Sequence, residues 1–211
     1  MGPAATVAFL AQVQALTPAR GDADHIRVLM DMNPQVPDRN TRPGEAEAEL
    51  AAMALRLKAA GADLLAMPCN TAHAQKAGIL AADLPFIDMI AETVKAAAET
   101  GANRIGVLAT PGGEALYRQA LTDAGLQPVL MQGEARVRFM DCVYAVKGGN
   151  AGPAPRAAMC ALAEGLVAQG AMAVIAGCTE VPLLLDAADV SVSLVDSAEI
   201  LARVCVSYCL G

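Results

Sequence analysis

The stretch GADLLAMPCNTAH, residues 61–73, decides the predicted fold of this chain. Its apolar run, 64–68, is typical of a strand buried on both faces, as in a parallel sheet with helices on either side. Cys69, Asn70 and Thr71 follow the carboxyl end of this strand, which is where open α/β sheets bind ligands. Free backbone N–H groups there favour an anion and stabilise a thiolate. Cys69 is therefore a candidate base or nucleophile, although a lone cysteine is also common as a small core residue.

Composition excludes several classes of protein. The 211 residues include 15 Lys and Arg against 22 Asp and Glu, without a basic run that would follow a phosphate backbone. With no Trp, three Tyr and three Phe, the chain also has little to stack on nucleic-acid bases. No apolar stretch approaches the roughly 18 residues of a membrane span, and no signal peptide is apparent. We expect a cytoplasmic protein that binds neither nucleic acid nor membrane.

The cysteine pattern argues against both disulfides and a metal site. The six cysteines are Cys69, Cys142, Cys160, Cys178, Cys205 and Cys209. A chain this long and apolar does not need disulfides, and a reducing compartment would not keep them. No pair has CxxC spacing, and His25 and His73 are the only imidazoles. We therefore expect no metal and no disulfide.

The apolar periodicity alternates between helices and strands along the whole chain. It predicts helices over 4–16, 44–60, 71–82, 91–100, 114–124, 134–146 and 155–169, a last helix opened by Asp196, and strands over 25–31, 64–68, 85–89, 104–110, 127–131, 171–177 and 192–196. The segment 33–40 holds two prolines and predicts a loop that follows a strand end. From the residues alone, Arg39 in this loop is interpreted as an exposed loop charge. Lys147, at the end of a helix, is interpreted as a positive charge that complements the helix dipole.

An internal repeat relates the two halves of the chain. GADLLAMPCNT at 61–71 aligns with GAMAVIAGCTE at 170–180, so Cys69 and Cys178 are equivalent positions 109 residues apart. With a slip of one, PFIDMIAETV resembles SVSLVDSAEIL and pairs Asp88 with Asp196. A repeat of this length predicts two similar α/β lobes, each a mostly parallel sheet flanked by helices. We assign residues 1–90 plus 195–211 to lobe 1 and residues 91–194 to lobe 2.

Two related lobes that face each other bring the two strand-end cysteines to opposite sides of one crevice, which favours catalysis over packing. The same offset predicts that the counterpart of strand 104–110 falls just before Met1. Lobe 1 should thus lack its first strand, and either the true start lies upstream or another segment fills the gap.

The motifs MPCNTAH at 67–73 and AGCTEVPLLL at 176–185 together resemble the pyridoxal-phosphate-independent amino-acid racemases, within them the aspartate racemases. Further likeness lies in MGP at 1–3, in TPA at 17–19, in HIRVLMDMNPQVPDRN at 25–40 and in VYAVKGGN at 143–150. Glutamate racemases are similar but usually carry His after GCT, where this chain has Glu180. The chain differs from the family at its N-terminus, where the first strand and two glycines of a GGMGP turn are absent.

The resemblance implies a cofactor-independent racemase that acts on aspartate or glutamate and is often a homodimer. Cys69 and Cys178 would exchange the roles of thiolate base and thiol acid on opposite faces of the α-carbon. Asn70, Thr71 and Thr179, at two helix starts, would hold the carboxylate at the reacting centre.

The family's other substrate-binding positions carry over to Met1, Arg39 and Lys147. Met1 belongs to the substrate turn, and Arg39 and Lys147 would hold substrate carboxylates. Alternatives are a hydantoin racemase, a maleate isomerase, an arylmalonate decarboxylase, or an inactive binding relative. Both cysteines argue against the decarboxylase, and the absent strand motivates the inactive relative.

Overall fold

The computed structural model describes residues 2–38 and 41–211. Its helices are α1 (Pro3–Leu16), α2 (Pro43–Ala59), α3 (Lys76–Leu80), α4 (Met89–Glu99), α5 (Pro111–Asp123), α6 (Glu134–Lys147), α7 (Pro153–Ala168) and α8 (Ser197–Leu210). Its strands are β1 (Leu65–Ala66), β2 (Phe86–Ile87), β3 (Arg104–Leu108), β4 (Gln127–Leu130), β5 (Ala173–Ala176) and β6 (Ser193–Asp196). Short 3-10 helices connect several of these elements.

The strands form two parallel sheets. One sheet pairs β1 with β2, and the other has the order β4-β3-β5-β6. Both faces of β5 are buried: Ala173 and Ile175 pack towards α4 and α5, and Val174 and Ala176 pack towards α6 and α7. Burial on both faces explains why this strand reads as an unbroken apolar run. The predicted α/β class, with mostly parallel sheets flanked by helices, is confirmed.

The internal repeat is visible in the strand register. Leu65 pairs with Phe86 in the first sheet, and Val174 pairs with Leu194 in the second. These positions are the repeat partners of each other, at the offsets of 109 and 108 residues found in the sequence. The two halves therefore share one local fold, in which a strand, a site turn, a second strand and a helix follow in the same order.

Two helices connect the halves. α8 follows β6 of the four-stranded sheet but packs with Phe9 and Val13 of α1. α4 follows β2 of the other sheet, yet Ile90 and Val94 of α4 lie in one core with Ile105 of β3. Each sheet thus donates a helix to the other half, and the exact boundary between lobes stays a prediction.

The prediction of a strand over 25–31 is wrong, because residues 26–31 have no regular secondary structure. A strand needs a paired neighbour, and this segment faces a cavity instead. The helix predicted over 71–82 is also wrong in kind: a 3-10 helix, Thr71–Gln75, precedes the short α3. The other predicted helices agree with the structure to within about two or three residues at their ends. Across the described residues, no helix is long and apolar enough to span a membrane.

Candidate functional site

Cys69 lies in the turn after β1, as the sequence predicted. Its side chain is buried, with only 8% of the residue exposed. The backbone N–H of Cys69 donates to the carbonyl of Met67 at 2.7 Å, which turns the chain sharply at the strand end. A small cavity of about 30 Å³ lies beside Cys69, with walls from α2 and from Met32.

Cys178 lies in the matching turn after β5 and is equally buried, at 7% exposure. Its Sγ donates a hydrogen bond to Oε2 of Glu180 at 3.0 Å. Burial, followed by the negative charge of Glu180 and this hydrogen bond, raises the pKa of the Cys178 thiol well above its usual value. Cys178 is therefore a protonated thiol at neutral pH, the form that can donate a proton.

The fold brings the two cysteines to the same region of the molecule. The side chain of Asn70, next to Cys69, donates to Ser197, and Ser197 donates to the carbonyl of Ala176, two residues before Cys178, so the two cysteine turns are connected. Between the two halves, the hydroxyls of Thr71 and Thr110 lie 2.6 Å apart. Neither cysteine turn leads into a long helix; each opens a 3-10 helix, Thr71–Gln75 and Val181–Leu183 respectively. The helices that directly follow the two cysteines are thus shorter than predicted.

Asn70 belongs to a buried polar network that joins the two strand ends. Its side-chain amide donates to Oγ of Ser197 at 3.0 Å, and its carbonyl oxygen accepts from the Tyr117 hydroxyl at 2.5 Å. Ser197 in turn donates to the carbonyl of Ala176, at the end of β5. Complete burial raises the pKa of Tyr117, which keeps the phenol neutral as a donor. The network fixes the turn of Cys69 relative to that of Cys178.

The remaining predicted site residues fall into three groups. Thr179 is buried beside Cys178, with its hydroxyl 3.5 Å from Oε2 of Glu180. Lys147 is exposed in the last turn of α6, with its ammonium 6.0 Å from the centroid of the Tyr144 ring. Met1 and Arg39 lie outside the described residues. Substrate roles for all four stay predictions.

Glu180 is a buried residue beside Cys178 that was not among the predicted site residues. It is 4% exposed, and a Cβ placed on Gly2 would lie 2.8 Å from its Oε1, so the start of α1 approaches this carboxylate. Among residues 2–38 and 41–211, no Lys, Arg or His side chain lies within 4.0 Å of this carboxylate. A signal existed in the motif GCTE, where a carboxylate follows the cysteine by two residues.

His73 stabilises the turn of Cys69 through hydrogen bonds of its buried ring. Its Nδ1 lies 2.9 Å from the carbonyl of Cys69, and its Nε2 accepts the backbone N–H of Met89 at 3.1 Å. Because Nε2 accepts, the proton of the neutral ring is on Nδ1 and is donated to Cys69. Burial lowers the pKa of His73, with a smaller lowering from Lys76 and opposing contributions from the Cys69 carbonyl and Asp88.

This buried imidazole predicts a pH-dependent stability. Below the ordinary value of 6.5, the unfolded chain binds a proton on this ring that the folded chain does not. We expect the free energy of unfolding to fall as the pH is lowered from about 7.5 to about 5.5, and the substitution His73→Gln to flatten that slope. The measurement is chemical denaturation across this pH range. The matched control is His25→Gln, at an exposed histidine, which should keep the wild-type slope; a similar flattening there would contradict the assignment.

Comparison with known proteins identifies a family for this chain. The family model described as Asp/Glu/Hydantoin racemase matches residues 1–205. The chain belongs to this family. The resemblance expected from the two cysteine motifs is thereby confirmed at the level of the family, which makes the chain an amino-acid racemase, an isomerase.

Individual members of the racemase family match between 70% and 100% of the chain. The chain is 27% identical over 219 residues to the broad specificity amino-acid racemase RacX of Bacillus subtilis, covering 100% of this chain and 96% of that one. It is 34% identical over 155 residues to a glutamate racemase of Ectopseudomonas mendocina, covering 70% and 58% respectively. Among solved structures, the Picrophilus torridus aspartate racemase superposes with a TM-score of 0.87 at 25% identity, covering 99% of this chain and 90% of that one.

Proposed function

We propose that this chain interconverts L- and D-aspartate by a two-base proton transfer between Cys69 and Cys178. One observation carries the proposal: equivalent, buried cysteines follow the equivalent strands β1 and β5, in turns that hydrogen bonds through Asn70 and Ser197 connect. Racemisation removes a proton from one face of the α-carbon and returns a proton to the other face. Two thiols on opposite faces do this without any movement of the substrate.

The chemistry balances within the two thiols and the substrate. The thiolate of one cysteine takes the α-proton, and the electron pair of the broken C–H bond moves into the substrate carboxylate. The thiol of the other cysteine then gives its proton to the opposite face of the α-carbon. The net result is one inverted centre and a proton moved from one sulfur to the other. The two cysteines exchange the roles of acid and base with the direction of the reaction.

Glu180 is well placed to hold the substrate ammonium. Its carboxylate is buried beside the Cys178 sulfur, and an amino-acid ammonium would supply a compensating positive charge there. The neighbouring hydroxyls of Thr71 and Thr179, together with backbone N–H groups in both turns, are available for the α-carboxylate. Asn70 would support the binding of this carboxylate by stabilising the turn of Cys69 through its hydrogen bond to Ser197.

The resemblance assigns the rest of the substrate site. Arg39 and Lys147 would bind substrate carboxylates, and Met1 would complete the substrate turn. Glu180 in place of the histidine usual in glutamate racemases favours aspartate over glutamate, and so does the similarity to the Picrophilus torridus enzyme. The two thiols supply both proton transfers, so this mechanism uses no cofactor. A homodimer in the cytoplasm is the assembly and compartment that the resemblance favours.

The proposal is tested by α-proton exchange in deuterated water, with single L- and D-amino acids supplied one at a time. We expect both enantiomers of aspartate to incorporate deuterium and to converge on equal amounts, because the two have the same free energy. Chiral chromatography with mass spectrometry measures both quantities. Glutamate and alanine are the comparison substrates, and we expect aspartate to have the highest kcat/KM. Faster exchange of glutamate or alanine would overturn the choice of aspartate, and no exchange with any amino acid would overturn the reaction.

A further inference from the structure

The segment 31–36 has no helix or strand, yet it forms one wall of the small cavity beside Cys69. Met32, Asn33 and Val36 line the cavity from this side. The cavity has a volume of about 30 Å³, so a shift of about 1 Å in this wall would change the space beside the thiol. A segment without the hydrogen bonds of regular secondary structure needs other contacts to keep such a position.

Asn33 both shapes this segment and connects it to α2. Its side-chain amide donates to Oε1 of Glu49 at 3.1 Å. Its Oδ1 accepts the backbone N–H of Gln35 at 2.9 Å, a local bond that closes a turn. The same side chain therefore folds the turn and attaches it to the helix.

Arg56 connects the segment to α2 at a second point. Its Nε donates to Oδ2 of Asp31 at 2.9 Å, and its Nη2 donates to Oε1 of Glu49 at 3.0 Å. This oxygen of Glu49 is the one that also accepts from Asn33. The planar guanidinium holds its two acceptors in a fixed geometry. The four side chains of Asp31, Asn33, Glu49 and Arg56 thus form one connected network, which we call the loop anchor.

The charges of the loop anchor make Arg56 its central member. Asp31 and Glu49 both bond to this one guanidinium, so their carboxylates lie close together and would repel each other without it. The Arg56 side chain is 53% exposed, and water screens its ion pairs, so their contribution to global stability is small. The loop anchor therefore acts locally, on the position of the segment 31–36.

We propose that the loop anchor holds this segment as a wall of the substrate site, and that Asn33 and Arg56 are positioning residues for racemisation. The inference rests on the function proposed above for Cys69. The turn of Cys69 is held separately, by Asn70 and His73, so the loop anchor acts on the wall and not on the thiol. A wall that contacts the substrate equally before and during proton transfer contributes to binding and leaves the chemical step unchanged.

Kinetics of the full chain test the positioning role. Asn33→Ala and Arg56→Ala are each expected to raise KM for aspartate about 3- to 10-fold and to leave kcat within about twofold. Arg56→Lys should lie between wild type and Arg56→Ala, because one ammonium keeps the charge but cannot reproduce the fork. The double variant should raise KM no more than the stronger single variant, since both substitutions break one network. A fall in kcat with an unchanged KM would overturn the proposal.

The reactivity of Cys69 is a second readout that does not depend on racemisation. Cys69, Cys178 and Cys205 are equally buried, so the last two serve as controls within the same molecule. We expect Arg56→Ala and Asn33→Ala to speed iodoacetamide labelling of Cys69 about threefold or more, because the wall opens locally. Labelling of the other two should stay at the wild-type rate, as read by peptide mass spectrometry.

The matched control variant is Arg203→Ala. Arg203 is 62% exposed and pairs with Glu199 on its own helix, so it holds no loop. It should keep the wild-type KM and labelling rates, and equal changes in this variant would overturn the proposal. Equal acceleration at all three buried cysteines, or none at Cys69, would also overturn it. No racemisation by the wild-type chain would overturn the proposed function instead, while the labelling of Cys69 would still decide whether the loop anchor holds the wall.

Discussion

The substitutions Cys69→Ser and Cys178→Ser are each expected to lower the rate of racemisation by about 10³-fold or more. Serine is nearly isosteric with cysteine, but its hydroxyl is a far weaker acid and cannot form the anion at neutral pH. Either substitution removes one of the two groups that transfer a proton to or from the α-carbon. Both side chains are buried in turns after short strands, so the fold has little reason to change.

The two variants should differ in the enantiomer they still deuterate. Each keeps one thiol, which can remove and return a proton on its own face, so each variant exchanges the α-proton of one enantiomer without inverting it. The measurement is deuterium incorporation by single enantiomers of aspartate, read with chiral separation. Cys160→Ser, at a half-buried cysteine of α7, is the matched control and should retain full activity. Complete racemisation by either variant at a strand end would show that its cysteine is only a packing residue.

The substitution Glu180→Gln is expected to have the second largest effect, lowering kcat/KM for aspartate by roughly 10²-fold, about 3 kcal/mol. The glutamine keeps an oxygen that can accept the Cys178 hydrogen bond but removes the charge that would pair with the substrate ammonium. Glu180→Asp, which keeps the charge on a shorter side chain, should retain more activity than Glu180→Gln.

A second readout separates the charge of Glu180 from simple damage to the site. That charge is one cause of the raised pKa of Cys178, after burial, so alkylation of Cys178 should begin at lower pH in Glu180→Gln. Iodoacetamide labelling followed by peptide mass spectrometry measures this at Cys178 alone. An unchanged labelling profile with unchanged kcat/KM would remove Glu180 from the proposed mechanism.

Much of the architecture could be predicted because buried parallel strands leave unbroken apolar runs. The runs that end at Cys69 and Cys178 were found in this way, and the predicted repeat between them agrees with the equivalent pairings of β1 with β2 and of β5 with β6. Helices such as α2 and α5 also fall close to their predicted bounds. The exception is informative: 25–31 has the composition of a strand but not the structure of one.

Local sequence determined which residues stand at the strand ends, since a run of apolar residues followed by Pro68 or Gly177 and a cysteine sets this turn within one short segment. Only the tertiary structure decided what surrounds the cysteines. The hydrogen bond from Asn70 to Ser197 joins residues 127 positions apart, and it depends on how both sheets are arranged. The tertiary structure also determined that residues 25–31 do not form a strand. A strand forms through hydrogen bonds to a neighbouring strand, and the position of that neighbour is set by the fold and not by the segment itself.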